Sequence, residues 1–334
     1  MSEHKQLTRR SFLKVATGSS AALLLALPVA TAGCNTAGPA FPSKTIELFV
    51  VFPPGGSSDV LMRSLAEAAT PIFGQQVVVV NKAGGNGIIG TGEGARAKPD
   101  GYTVTLMQAG PGATQPHVDK VDYKIEDFAP LMLVFKNPLF LFAGLHTPWT
   151  NAKEFAEDAK KRPGQINFGA SPVGGVPHLV MEFFGTKAGF KVNTVPFQGA
   201  APALTALIGG HVDCNTAHPP DAVAQKGKLK ILGVFEPERL KEFPEVPTMR
   251  EQGYDAVGYV WGGLVVPKDT PKDIQTKLHD GFKKALESQL VKDAWGKLLL
   301  PPSYAPPDEF LKLWKEDYDR FGVIIGDLKK SGRL

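Results

Sequence analysis

The sequence predicts an α/β protein built as two lobes, and three features of the chain predict it. From Thr45 onward, short apolar runs alternate with amphipathic stretches, the rhythm of βαβ units around a parallel sheet. That rhythm starts afresh near Leu139 to Ala143, which asks for a second sheet. After Val266 only helical patterns remain, and helices without strands of their own must pack on a sheet already built. A chain of 334 residues accommodates two domains and buries a core without staples. With 43% hydrophobic and 21% charged residues it is not a disordered chain. Its 36 glycines and 28 prolines place many sharp loops between short elements. The formal charge of +4 falls to about +1 once Lys5, Arg9, Arg10, Lys14 and Glu3 are set aside with the first 33 residues. A nearly neutral body argues against nucleic acid or an anionic membrane face as the main partner.

The first 34 residues are an address label. Thr8-Arg9-Arg10-Ser11-Phe12-Leu13-Lys14 resembles the twin-arginine export signal. The apolar stretch Ala21 to Leu27 that follows is too short for a spanning helix, which needs about 20 apolar residues. Two exits are open. Thr31-Ala32-Gly33-Cys34 looks like a lipobox whose cysteine is acylated, with Thr31 where Leu is usual; Ala30-Thr31-Ala32 also fits ordinary cleavage between small residues. Cys34 and Cys214 are the only cysteines, so a chain lipidated at Cys34 has no internal disulfide. Residues 35–42 read as a tether.

Ile46 to Phe52 is an expected strand, stopped by Pro53-Pro54-Gly55-Gly56, and Asp59 to Ala69 carries apolar residues at helical spacing. The four valines after Gln76 suit a strand covered on both faces. Gly87 to Ala97 reads as a glycine-weakened helix, Pro99-Asp100-Gly101 as a turn, and Tyr102 to Met107 as a strand. The second series runs from helix Asn151 to Lys161 through strand Ile166 to Gly169, helix Val176 to Ala188 and strand Lys191 to Val195. It continues with helix Pro202 to Ile208 and strands Val212 to Thr216 and Leu229 to Phe235. Strand Val260 to Val266 precedes three helices, Pro271 to Glu287, Gln289 to Leu299 and Pro307 to Lys330. The economical division is a first lobe of residues 43–145 with 262–334 and a second lobe of residues 146–261.

Several strand-to-helix loops could carry chemistry. Pro53-Pro54-Gly55-Gly56-Ser57-Ser58-Asp59 combines two glycines, two hydroxyls and a helix amino terminus, a cradle for carboxylate or phosphate, or else an ordinary capped βα turn. Gly85-Asn86-Gly87-Ile88-Ile89-Gly90 matches the dinucleotide fingerprint literally, but the next strand ends Leu106-Met107-Gln108-Ala109 without the acid that would hold a ribose. It reads better as a second loop of backbone donors. Ser171-Pro172-Val173-Gly174-Gly175-Val176-Pro177-His178 repeats the device, and no base and orienter accompany Ser171 as a hydrolase requires. His211, Asp213, Cys214 and His218 invite a metal, but strand alternation scatters them and Cys214 reads as a buried thiol. Trp149, Tyr259 and Trp261 could floor a pocket, whereas Trp295 and Trp314 suit a core.

The chain resembles the extracytoplasmic solute-binding proteins of tripartite tricarboxylate transporters, the Bug-type proteins. The resemblance rests on Phe41-Pro42-Ser43-Lys44, Phe52 to Asp59, Lys82 to Gly87, Lys98 to Tyr102, Ala203-Leu204 with Gly209 to Asp213, Pro244 to Thr248 and Gly262-Gly263-Leu264. It covers nearly the whole mature chain and implies a two-lobed type II periplasmic binding-protein fold closing on one small organic acid. Carried over, the family's ligand contacts fall on Gly55, Gly56, Ser57, Ser58, Asp59, Gly85, Asn86, Gly87, Ser171 and His178. Phe197-Gln198 stands where the family has Tyr-Lys or Tyr-Arg, and Cys214 to His218 lacks the usual acid. Gln198 and His218 therefore point to a carboxylate on an uncharged or aromatic body. The implied protein is a periplasmic monomer without catalytic step, cofactor or metal, handing its ligand to membrane transporter subunits. Two other readings stay open: a periplasmic oxidoreductase with a nucleotide cofactor on the glycine-rich loop, and a sensor that signals instead of importing.

Overall fold

The computed structural model describes residues 41–197, 200–220 and 227–334. The export signal with Cys34, the tether up to residue 40 and Gln198 lie outside the described residues.

Strand β1 (Ile46–Val50) buries Ile46, Leu48 and Val50 completely and leads into helix α1 (Ser57–Phe73). Leu61, Met62, Leu65, Ala68 and Ala69 of α1 recur at three- and four-residue spacing and form its buried stripe. Strand β2 (Val77–Asn81) follows, then α2 (Ile88–Ala95), β3 (Thr103–Gln108), a π-helical turn over Gly110–Thr114 and the short α3 (Gln115–Val118). The glycines that weaken α2 let it lie close to the sheet: a Cβ on Gly90 would stand 2.3 Å from the carbonyl oxygen of Lys82. Strand β4 (Phe128–Pro138) is eleven residues long.

The second series comprises β5 (Phe140–Gly144), α4 (Ala152–Lys161), β6 (Asn167–Ala170), α5 (Val176–Ala188) and β7 (Asn193–Pro196). It continues with α6 (Ala200–Ile208), β8 (Cys214–Ala217) and β9 (Leu229–Val234). Asn151 caps α4 by accepting the Glu154 amide at 2.9 Å. Strand β10 (Tyr259–Pro267) precedes the closing helices α7 (Lys272–Leu286), α8 (Gln289–Gly296) and α9 (Pro307–Lys330).

The strands form two five-stranded sheets, β2-β1-β3-β10-β4 and β7-β6-β8-β5-β9. In each, three parallel strands meet one antiparallel strand and then a last strand antiparallel to that one. The sheets are thus mixed, not wholly parallel as the alternation suggested, because β10 enters the first sheet only after the chain has built the second. Strand β4 is not among the expected strands; only the 110–114 turn and the four-residue α3 stand between it and β3, so no full βαβ unit marks it. The chain changes sheets at Leu139, just after Lys136-Asn137-Pro138. Residues 140–144 consequently pair in the second sheet, and Tyr259–Trp261 pair in the first.

Helices α1, α7 and α8 close one core on the first sheet, where buried Trp295 donates to the Leu61 carbonyl at 3.1 Å and to Ser64 Oγ at 2.9 Å. A second core runs continuously from Met107, Trp261, Phe310 and Trp314 to Phe168 and Leu179 of the other lobe. Each large side chain so buried contributes about 2–3 kcal/mol. Helix α9 sits across this junction, against β4, the 110–114 turn and α5.

At the crossing, the Phe235 amide donates to the Leu139 carbonyl at 2.9 Å and the Gly258 amide to the Phe235 carbonyl at 2.8 Å, so the connecting segments lie side by side. Glu236 follows directly. Burial pushes its carboxyl up to about 7, with the Lys136 ammonium opposing. A proton held more tightly folded than unfolded gives stability that is full below the ordinary glutamate range and lost as pH rises through about 7. Chemical denaturation from about pH 5 to about pH 8 is expected to show the wild type losing stability relative to Glu236→Gln. Parallel pH profiles for the two proteins would contradict this account of the crossing.

Candidate functional site

The loop after β1 is open to solvent from Pro53 to Ser57. Gly55 takes φ +84°, a left-handed conformation that glycine adopts without a Cβ penalty, and Gly56 caps α1 at φ −74° and ψ 165°. The first bond of the helix is Val60 N–H to the Gly56 carbonyl at 3.1 Å. The amides of Gly56, Ser57, Ser58 and Asp59 therefore lack intrahelical acceptors and gather at the positive end of the helix dipole.

Asp59 was expected among the ligand contacts, but the structure engages its carboxylate within the protein. Only 3% exposed, it accepts the Gly55 amide at 2.9 Å, Asn81 Nδ2 at 2.9 Å and a two-pronged Arg63 at 3.0 and 2.9 Å. Burial opposes its ionisation, but the bonds from Arg63, Gly55 and Asn81 outweigh that and hold the carboxyl below its ordinary range. Asp59 shapes the loop from within the protein.

The other loops of the first sheet close around this one. Gly85–Gly87 form a single 3-10 turn with Asn86 left-handed at φ 52°, and Gly85 and Asn86 are exposed. A Cβ on Gly87 would lie 3.1 Å from both Pro111 Cγ and Val51 Cγ2, so this loop packs between the end of β1 and the turn after β3. Gln108, at the end of β3, donates from Nε2 to Ser58 Oγ at 2.5 Å and ties the first loop to the third. Sequence reasoning used Gln108 only as the missing ribose acid. Its place at the carboxyl end of the central strand was the signal that it belongs to the site.

In the second lobe, Ser171 is half-buried at the start of the loop that enters α5, and Gly174 takes φ +78°. The Cβ position of Gly174 lies 3.3 Å from Val118 Cγ2 at the end of α3. The second lobe's glycine turn thus packs against the end of α3 in the first. The Gly175 amide is bonded to the Pro172 carbonyl at 3.1 Å and Pro177 has no N–H, which leaves Val176 and His178 as the donors of that helix start. The His178 ring is fully buried and turned inward, with Nδ1 accepting the Gly174 amide at 3.1 Å. It too is removed from the expected ligand contacts. His218 is half-buried and donates from Nδ1 to the Pro138 carbonyl at 3.0 Å, where the chain passes between sheets.

The aromatic floor dissolves into cores. Trp149 is 2% exposed and bonded to Asp158 at 2.8 Å; Trp261 is 0% exposed and bonded to Asp317 at 2.8 Å. Trp295 and Trp314 are buried as expected. Cys214 is fully buried, and burial pushes its thiol well up. The loops at 53–58, 83–87, 108–114 and 171–177 contain no charged residue, and Arg63 and Lys82 beside the first two are paired, Arg63 with Asp59 and Lys82 with Glu93 at 2.7 Å. What these loops offer an anion is backbone N–H, hydroxyls and helix dipoles. Among the described residues no helix is long and apolar enough to cross a membrane.

The family described as TctC, tripartite tricarboxylate transporter family receptor, matches residues 61–329. Protein BugT of Bordetella pertussis is 32% identical over 305 residues, 89% of this chain and 94% of that one. The crystal structure of a TctC solute-binding protein from Polaromonas superposes with a TM-score of 0.77 at 34% identity, covering 86% of this chain and 100% of that chain. An R. palustris protein with adipate superposes with a TM-score of 0.75 at 26% identity, covering 87% and 98%. These proteins share the two-lobed α/β architecture derived above, in a family of receptors and not of enzymes. The chain belongs to the tripartite tricarboxylate transporter receptors, the Bug-type solute-binding proteins.

Proposed function

We propose that this protein captures a small dicarboxylate in the crevice between its lobes and delivers it to membrane subunits of a tripartite tricarboxylate-type transporter. The observation that carries the reading is the pair of glycine loops, one in each lobe, each opening a helix and neither containing a charged residue. A carboxylate takes bonds from the amides of Gly56, Ser57 and Ser58 and from the Ser57 and Ser58 hydroxyls, with Gly85, Asn86 and Gly87 beside them. Closure adds Ser171 and the Val176 amide, with His218 toward the body of the acid. Bonds from N–H to a carboxylate are charge-assisted and roughly twice as strong as neutral ones. The adipate found with the R. palustris relative supports a two-ended acid as ligand. No chemical step is needed: lobe closure, docking and reopening complete the cycle. The protein works in the periplasm as a monomer, exported through its Arg9-Arg10 signal and anchored by lipid at Cys34.

Two experiments test this. In a thermal-shift screen of monocarboxylates, straight-chain dicarboxylates and aromatic acids, a dicarboxylate is expected to raise the melting temperature most. Gly56 has φ −74°, so Gly56→Val keeps the backbone but covers the amides, and Ser58→Ala removes a hydroxyl. Each is expected to weaken binding about tenfold, or ~1.4 kcal/mol. Undiminished binding in both variants would show that the acid lies elsewhere. For the anchor, Cys34→Ser is expected to move the protein from the membrane fraction to the soluble periplasmic fraction; an unchanged distribution would rule out lipidation there.

A further inference from the structure

We infer that His178 is a positioning residue of the second lobe's loop, the counterpart of Asp59, and that carboxylate capture requires the bond its Nδ1 accepts from the Gly174 amide. The inference rests on the carboxylate reading above and adds a positioning requirement to it. Pro53-Pro54-Gly55-Gly56 and Pro172-Val173-Gly174-Gly175 share the pattern Pro-x-Gly-Gly. Their backbones agree as well: Gly55 and Gly174 have φ +84° and +78°, and Gly56 and Gly175 cap their helices at φ −74°, ψ 165° and φ −78°, ψ 163°. In both, the third helical residue reaches back to the amide of the first glycine. Asp59 Oδ2 accepts Gly55 N–H at 2.9 Å, and His178 Nδ1 accepts Gly174 N–H at 3.1 Å. One loop has been built twice, with a carboxylate as acceptor in one lobe and an imidazole in the other.

The difference has a chemical consequence. Nδ1 accepts only while it carries no proton, which places the ring's single N–H on Nε2. Nε2 faces Thr194 Oγ1 of β7 at 3.4 Å and Glu182 Oε1 of its own helix at 3.7 Å, and Phe168 of β6 stacks on the ring at 6.3 Å. Glu182 is in turn held by Arg333 at 2.7 Å, on the tail beyond α9, while Val118 and Leu334 lie against Gly174. The charged groups around the ring are thus Glu182 and Arg333, already paired with each other. Without the Nδ1 acceptor the buried Gly174 amide is left unsatisfied, and the loop loses the bond that sets the start of α5.

The test is calorimetric titration with adipate, using the full chain as wild type, His178→Asn and His178→Gln. Asparagine places an amide oxygen near the position of Nδ1; glutamine carries its amide out toward Nε2 and leaves Gly174 without an acceptor. H178N is expected to bind about tenfold more tightly than H178Q, a rescue by the variant that keeps the acceptor. Equal binding by H178N and H178Q would overturn the inference while leaving the carboxylate reading intact. If H178Q does not fold, H178N decides alone: binding close to the wild type supports the inference, and a loss of about tenfold overturns it. A wild type that binds no carboxylate would overturn both.

Discussion

An amide at the start of a helix has no acceptor inside that helix, and both lobes of this protein are arranged around that shortage. In each, three parallel strands deliver their carboxyl ends to one edge, where the next helix begins with its amides outward. Keeping those amides available for a ligand requires that nothing nearby satisfies them, hence small residues and no cation in the loops at 53–58, 83–87, 108–114 and 171–177. It also requires that the loops be held still. Asp59 and His178 do this by taking the one amide that would otherwise compete, that of the preceding glycine. A site made of backbone dipoles is only as well aimed as the groups behind it.

The architecture that presents these loops is the same five-strand order used twice, each sheet completed by a strand from across the junction. Strand β5 follows β4 directly yet pairs in the second sheet, and β10 returns to separate β3 from β4. The lobes are therefore joined by adjacent backbone segments at Leu139, Phe235 and Gly258, and by the core under α9, not by a single linker. The junction also concentrates buried polar chemistry: Asp317 accepts the Trp261 indole and pairs with Arg320 at 2.8 Å, and Glu236 follows Phe235 at the crossing. Such groups constrain how the lobes meet more than they stabilise the fold, because desolvation offsets much of their attraction.

Much of this was legible in the chain. Local periodicity located α1, α4, α5 and the three closing helices within a few residues, because an amphipathic stripe is written at three- and four-residue spacing. Glycine and proline marked the loops, since few other residues take the left-handed turns at Gly55 and Gly174. Strand β4 escaped because its partner, β10, lies more than a hundred residues away, and no local pattern announces such a pairing. Gln108 escaped for a related reason: its worth comes from reaching Ser58, fifty positions earlier.

The sequence by itself determined the α/β class, the places where strands give way to helices, and the uncharged, glycine-rich character of the loops that face an anion. These depend on neighbours along the chain, through helix period, turn chemistry and side-chain size. The mixed sheets, the burial of Trp149 and Trp261 and the bonds that Asp59 and His178 accept from Gly55 and Gly174 emerge only in three dimensions. The physical reason is that a polar side chain can serve either the solvent-filled crevice or the protein's own amides. Which one it serves is set by groups such as Asn81, Thr194 and Arg333, brought beside it only when the chain has folded.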